Sequence, residues 1–344
     1  MPMKILYGVQ LTGNGHIVRS RGIVEGLKAR GHNVQVLMSG PPKKTWQMAP
    51  FEPYTHRHGL SFVSERGRLS YLKTARSLRL VRYVRDVIEF DASGFDLVVT
   101  DYEPIAARIA QLRGLPSVGV GHLYAFADRV PMAGGNPLAN LIMRQFAPAK
   151  FRAPLHWHHF DQPILPPSIP DDVPPPKPAI PGKIMVYLPF ESIDEIRTYL
   201  APFSDWDCYV YWHLDAPEDV GHLHLRPLSR EGFMNDLVDC EGVICNAGFS
   251  LVSEALHLGK KVLVKPLVMQ TEQESNARAL TELGIGRAMR TLDAAETRRF
   301  LAAPGIAPRN YPDVLGLIVD WIDSGDFAGL EAIARGAWEG VPTP

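Results

Sequence analysis

Nine prolines, Pro163, Pro166, Pro167, Pro170, Pro174, Pro175, Pro176, Pro178 and Pro181, crowd between Gln162 and Gly182. Proline lacks a donor N–H and fixes φ, so this stretch can be neither helix nor inner strand and reads as a stiff connector. It divides a chain of 344 residues, longer than one hydrophobic core usually grows, into halves that can each bury a core. With 46% hydrophobic and 21% charged residues, the chain has neither the polarity of a disordered protein nor the long apolar runs of a membrane protein. The opening Met-Pro-Met-Lys leads straight into a strand without the apolar core of a signal peptide, so a cytoplasmic location is expected. Cys208, Cys240 and Cys245 suit neither a disulfide framework nor a zinc site and are expected to be reduced packing residues.

Around the connector, β-branched runs alternate with helical stretches. Strands are expected at Lys4–Val9, Asn33–Leu37, Phe95–Thr100 and Pro116–Val120, with helices at Ile17–Arg30 and Ile105–Arg113. After the connector, strands recur at Lys183–Leu188, Cys208–Trp212, Leu223–Arg226, Gly242–Cys245 and Lys261–Val264. Such β-α-β rhythm builds parallel sheets whose sites lie at the C-terminal strand ends. The expected organisation is an N-terminal Rossmann-like domain over 1–161, the connector over 162–182, a C-terminal Rossmann-like domain over 183–310, and a helix and tail over 311–344 that cross back to the first domain.

The first strand runs into Thr12-Gly13-Asn14-Gly15-His16, and a helix opens directly afterwards. Gly13 and Gly15 let backbone approach a ligand, and free N–H groups at a helix start favour negative charge. A dinucleotide site would need a glycine where Val18 stands and an acid near the second strand's end, where Met38-Ser39-Gly40 stands. Both requirements fail. His16 sits at the mouth of the first strand and is the candidate base. Asp101 and His122 end later strands of the same half, so their side chains open onto the same crevice; Asp101 suits the orienting of His16, its plainer alternative being a helix cap. His122 suits packing or the orienting of an acceptor.

In the second half, Asn246-Ala-Gly248-Phe249-Ser250 is a small turn into a helix, with backbone N–H groups facing outward in a way that suits a diphosphate. Glu254 lies one turn on, where a carboxylate can accept from a ribose diol. Gln270, Gln273 and Asn276 recur every third residue at the next helix start, and neutral amides match sugar hydroxyls in both donating and accepting. Ser192, after the first strand of this half, is a weaker candidate donor. No metal or other cofactor is expected: Asp171-Asp172 falls in the connector, and no Asp-x-Asp has strand context.

Between Lys43 and Arg85, ten basic residues face only Glu52 and Glu65. Arg76, Arg79, Arg82 and Arg85 recur every three residues, a cationic stripe if the segment is one helix, suited to an anionic membrane face or simply to solvation. No nucleic-acid partner is expected.

Taken together, Thr12-Gly-Asn-Gly-His16, Gly114-Leu-Pro-Ser-Val-Gly-Val-Gly-His122 and Asn246-Ala-Gly-Phe-Ser-Leu-Val-Ser-Glu254 through Asn276-Ala277 resemble the GT-B nucleotide-sugar glycosyltransferases. Among these are the bacterial N-acetylglucosaminyltransferase of peptidoglycan lipid synthesis and related enzymes. The resemblance implies two facing Rossmann-like α/β domains and inverting transfer of a hexose-type sugar from a nucleotide diphosphate donor, UDP by the family's preference, to an unidentified hydroxyl acceptor. It implies further that Glu254 holds the ribose, Gly248 to Ser250 meet the diphosphate, Gln270 with Gln273 meet the sugar, and His16 is the base or an acceptor ligand. A lipid-linked or cell-envelope acceptor, reached from the inner face of the cytoplasmic membrane, is the matching expectation. The first loop and the run His122-Leu-Tyr-Ala depart from the peptidoglycan enzyme's pattern, which leaves acceptor recognition open. A nucleotide-sugar epimerase or hydrolase on this fold, drawing on Asp101, Glu191 and His213, and a non-catalytic sugar-nucleotide sensor are the competing readings.

Overall fold

The computed structural model describes residues 1–42, 48–61, 64–65, 68–69, 71–133 and 137–342. The first half runs β1 (Lys4–Gln10), α1 (Asn14–Ala29), β2 (Asn33–Ser39), β3 (Tyr54–Arg57), β4 (Ser64–Glu65), β5 (Arg68–Leu69), α2 (Tyr71–Ser77), α3 (Leu80–Ile88), β6 (Leu97–Asp101), α4 (Pro104–Arg113), β7 (Ser117–Gly121), α5 (Pro137–Phe146) and β8 (Phe151–Pro154). Its main sheet is parallel throughout, in the order β3-β2-β1-β6-β7-β8. The second half runs β9 (Lys183–Tyr187), α6 (Ile193–Leu200), β10 (Asp207–Trp212), β11 (Glu218–Val220), β12 (Leu223–Pro227), α7 (Arg230–Asp239), β13 (Gly242–Asn246), α8 (Phe249–His257), β14 (Lys261–Lys265), α9 (Thr271–Glu282), β15 (Arg287–Ala288) and α10 (Ala294–Ala302). Its order is β11-β12-β10-β9-β13-β14-β15, with β11 alone antiparallel to its neighbour. Leaving out that edge strand, each main sheet repeats one doubly wound order, which reverses beside β1 and β9 and opens a crevice there.

Burial explains the runs that were legible. β6, β7, β13 and β14 are buried along their whole length, as strands covered by helices on both faces must be, and their sequences are correspondingly apolar. The cap of α4 is Glu103, not Asp101: its carboxylate accepts from the N–H groups of Ile105 at 2.8 Å and Ala106 at 2.6 Å, with Pro104 in the first turn. Asp101 is left to the crevice.

The connector contains no helix or strand; an isolated bridge joins its Leu165 to Leu155. Ile164 and Leu165 are fully buried, while Lys177 and Ile180 donate backbone bonds to Val238 and Asp239 at the end of α7. The last segment forms α11 (Val314–Ser324) and α12 (Leu330–Ala337). α11 lies so close on α1 that a methyl group at Gly22 would come within 2.8 Å of Leu315, and one at Gly26 within 2.8 Å of Val319. α12 occupies what composition alone presents as a Gly, Ala and Pro tail, burying Leu330, Ala334 and Ala337 at helical spacing.

The basic segment corrects the sequence expectation of one helix. The chain breaks at Leu78 and Arg79, so Arg76 lies in the last turn of α2, Arg79 caps α3, and only Arg82 and Arg85 share a helix. Lys43, Lys44 and Arg66 lie outside the described residues. Leu80, Val81, Val84 and Ile88 of α3 are all more than half exposed. Among the described residues no helix is long and apolar enough to cross a membrane.

Candidate active site

The ends of β1 and β6 bring His16 and Asp101 together. His16 stands in the first turn of α1 and Asp101 closes β6; Nδ1 of the imidazole lies 2.8 Å from Oδ1 of the carboxylate. An ionised carboxylate only accepts, so Nδ1 carries the hydrogen and the Nε2 lone pair is left for a ligand; Nε2 has no hydrogen-bond partner among the described residues. Arg19, three residues along the same face of α1, donates from Nε to Asp101 Oδ2 at 3.0 Å and from Nη2 to Oδ1 at 2.5 Å, and Ser20 Oγ adds a bond at 3.0 Å. Burial works to raise the Asp101 carboxyl, but the Arg19 charge and the hydrogen bonds from His16 and Arg19 hold it below its usual range. Gly121, with φ +131°, makes room: a side chain there would begin 2.9 Å from the Arg19 guanidinium.

Facing this dyad, α9 of the other half carries Glu272. Its carboxyl is raised by burial, against the opposing pull of His16 and Arg19 across the cleft. Both Arg19 and Glu272 escaped the sequence reading. Arg19 sits at i+3 from His16, and Glu272 stands between Gln270 and Gln273, but neither spacing distinguishes a charge that acts on the site from a solvated one.

At the donor-side turn the structure separates backbone from side chains. Gly248 precedes α8, and a side chain there would meet nothing within 4 Å; its own N–H, read from the sequence as facing a diphosphate, instead donates to Asn246 O at 2.7 Å, which leaves the N–H groups of Phe249 and Ser250 as the candidates at this helix start. The close approach at Gly15 is to the opposite half: a methyl group would fall 2.2 Å from Ser250 Oγ. Phe249 is buried, its ring stacked on His122 at 3.9 Å and 5° and on Trp157 at 5.0 Å. His122 is also buried; its Nδ1 faces Leu155 O at 3.0 Å and its Nε2 faces Asn276 Oδ1 at 2.6 Å. Asn276 donates to Ala247 O at 2.9 Å. His122 and Asn276 thus join the halves to each other, and in this arrangement neither ring nor amide is presented to an acceptor or a donor sugar. Burial lowers His122 to about 4.

The remaining candidates divide. Gln273 accepts from the Leu267 N–H at 2.9 Å and holds the loop before α9, whereas Gln270 caps that helix with its Oε1 buried and unpartnered. Asn246 donates to Glu191 Oε2 and Lys265 O, leaving its own Oδ1 without a partner. Ser192 belongs to a capping box with Glu195 at the start of α6, so its hydroxyl is engaged. Asn14 lies in the first turn of α1. Glu254, on α8, is 4% exposed and pairs with Arg230. Asp101, Glu191 and His213 do not form an acid–base set: Asp101 pairs with His16 and Arg19, Glu191 with Lys265 at 2.5 Å, and His213 is exposed.

Solved structures share this architecture. The chain aligns with the glycosyltransferase SnogD from Streptomyces nogalater over 97% of its length and 99% of that chain, at 16% identity and a TM-score of 0.56. The calicheamicin glycosyltransferase CalG4 aligns over 98% of both chains at 18% identity and a TM-score of 0.57. MurG of Acinetobacter baumannii aligns over 98% of this chain and 95% of its own, at 15% identity and a TM-score of 0.55. No curated protein sequence matches the chain. The profile of glycosyl transferase family 1 matches residues 3–304, and with two parallel-sheet domains meeting at a cleft, the chain belongs to that family and is a GT-B glycosyltransferase.

Proposed function

We propose that this glycosyltransferase inverts the anomeric centre, moving a hexose-type sugar from a uridine diphosphate donor to an acceptor hydroxyl bound against the first half. The observation that carries the reading is the His16–Asp101 dyad, whose Nε2 is left open in the cleft. Nε2 takes the acceptor proton as the acceptor oxygen attacks the anomeric carbon, and Asp101 stabilises the imidazolium that forms. The bond from that carbon to the diphosphate oxygen breaks on the opposite face, and its electron pair leaves with the diphosphate. The N–H groups of Phe249 and Ser250, in the first turn of α8, stabilise the departing charge. The reading invokes no metal. Glu254 accepts from the ribose hydroxyls, and Glu272 with Gln270 and Gln273 borders the sugar.

The acceptor is assigned to an anionic membrane surface, lipid-linked and belonging to the cell envelope, with the enzyme peripheral on the cytoplasmic face. Support comes from α3, whose exposed Leu80, Val81, Val84 and Ile88 lie beside Arg79, Arg82 and Arg85.

Incubation with UDP-sugars labelled at the anomeric carbon, together with polyprenyl-phosphate-linked acceptors, tests this reading. The expected products are free UDP and a glycoside of inverted anomeric configuration. A retained configuration would remove the single-displacement mechanism, and a new nucleotide sugar without UDP release would favour epimerisation.

A further inference from the structure

Arg230, the first residue of α7, reaches two carboxylates that come from distant parts of the chain. Nη1 donates to Glu254 Oε2 at 3.2 Å and Nη2 to Oε1 at 3.1 Å, while Nε and Nη2 reach Asp172 Oδ2 and Oδ1 at 3.2 and 2.7 Å. Asp172 belongs to the proline-rich connector. A carboxylate as buried as Glu254 loses its charge unless a cation holds it, and a guanidinium fork is the cation whose geometry fits. Arg230 from α7 and Asp172 from the connector are the charged groups that act on Glu254, the first opposing and the second adding to the effect of burial. The fork fills two of the roughly four lone-pair positions on the Glu254 carboxylate, which leaves two for a ribose diol.

We propose that the connector is part of the donor site: Asp172 fixes Arg230, and Arg230 keeps Glu254 ionised and aimed, so nucleotide affinity is set in part from the segment that joins the two halves. The inference rests on Glu254 as the ribose acceptor. Arg230 is a positioning residue here. Because Asp172 lies between the connector's anchors at Leu165 and Lys177, a rearrangement of the halves that moved the connector would also move the guanidinium.

Calorimetric titration of the full chain with UDP and with 2′-deoxy-UDP, between about pH 7 and 9, tests the proposal. In Arg230→Met the UDP affinity should fall about tenfold at pH 7, the scale of a lost hydrogen bond to a charged group, and recover towards pH 9 as Glu254 ionises without its cation. The preference for UDP over 2′-deoxy-UDP should vanish and return over the same range. Asp172→Asn, which leaves Arg230 on Glu254, should cost about threefold at every pH. Wild-type affinity in Arg230→Met, or a loss equal at every pH, overturns the positioning role; unchanged affinity in Asp172→Asn overturns the connector's part and remains readable if Arg230→Met fails to fold. Glu254→Gln separates the two levels. If it keeps wild-type affinity and the same 2′-hydroxyl preference, the ribose assignment itself falls; if it loses them while Arg230→Met does not, only the present inference falls.

Discussion

At the end of β6 a carboxylate is enclosed by side chains, whereas at the end of β13 the chain turns into α8 and offers mainly backbone. Asp101 is fully buried among His16, Arg19 and Ser20, while a side chain at Gly248, before α8, would meet nothing within 4 Å. The same sheet order therefore presents different groups at equivalent strand ends. Side chains can titrate and move a proton; backbone N–H groups cannot, but they hold a diphosphate with little reorganisation. The difference predicts that substitutions in the first half act on turnover and those in the second act on donor affinity.

The sharpest way to break that division is His16→Ala. Turnover should fall by about 10²-fold or more, the usual loss when a general base is removed, while UDP affinity measured by calorimetry stays near wild type. Asp101→Asn should act in the same direction less severely, because the imidazole remains. A His16→Ala enzyme that turns over normally but binds UDP poorly would reverse the assignment of the two halves.

How legible this was in the sequence depended on whether the determining contacts were local. The strands ending in Asp101 and Asn246 were readable because full burial demands continuous apolar runs, and the glycine turns because a helix start needs them. β3, β8, β11 and β15 went unread: each is 4 residues or shorter, and each lies at or next to a sheet edge. Partners distant in sequence were invisible. His122 and Asn276 each fit a site motif, yet they meet across the seam at a separation of 154 residues. Arg230 carried no motif at all, and its importance appears only once Asp172 and Glu254 are seen beside it.

The seam itself supplies a smaller effect on stability. His122 is held neutral by burial, at about 4 instead of 6.5, and His156 beside it is lowered well below its ordinary value for the same reason. A histidine whose folded value is depressed favours the unfolded chain once that chain takes up a proton. Stability should therefore decline as pH falls through about 6.5 and level off near 4, by on the order of 3 kcal/mol for His122. Denaturant unfolding at pH 7 and pH 4.5 checks this. His122→Phe keeps a ring against Phe249 and should flatten the dependence; an equally steep decline in the variant would assign it to other groups.

The smallest predicted effect concerns the outer face of the first half, where the comparison with the second half is one of surface and not of site. α3 leaves Leu80, Val81, Val84 and Ile88 more than half exposed beside its arginines. An apolar stripe of this kind is costly in water and useful at a lipid interface, where the aliphatic groups enter the headgroup boundary and the arginines meet anionic lipid. Because the helix breaks at Arg79, Arg76 stands apart from this face, and Arg82 should matter more than Arg76. Each arginine near an anionic bilayer contributes about 1 kcal/mol, so Arg82→Gln should weaken binding to phosphatidylglycerol vesicles about fivefold at low salt, with the difference shrinking as salt screens the attraction. Sedimentation with anionic and neutral vesicles measures both terms. Val84→Asp should weaken binding to either kind if the apolar stripe inserts; loss with Arg82→Gln but none with Val84→Asp would reduce the face to a cationic surface that attracts lipid without entering it.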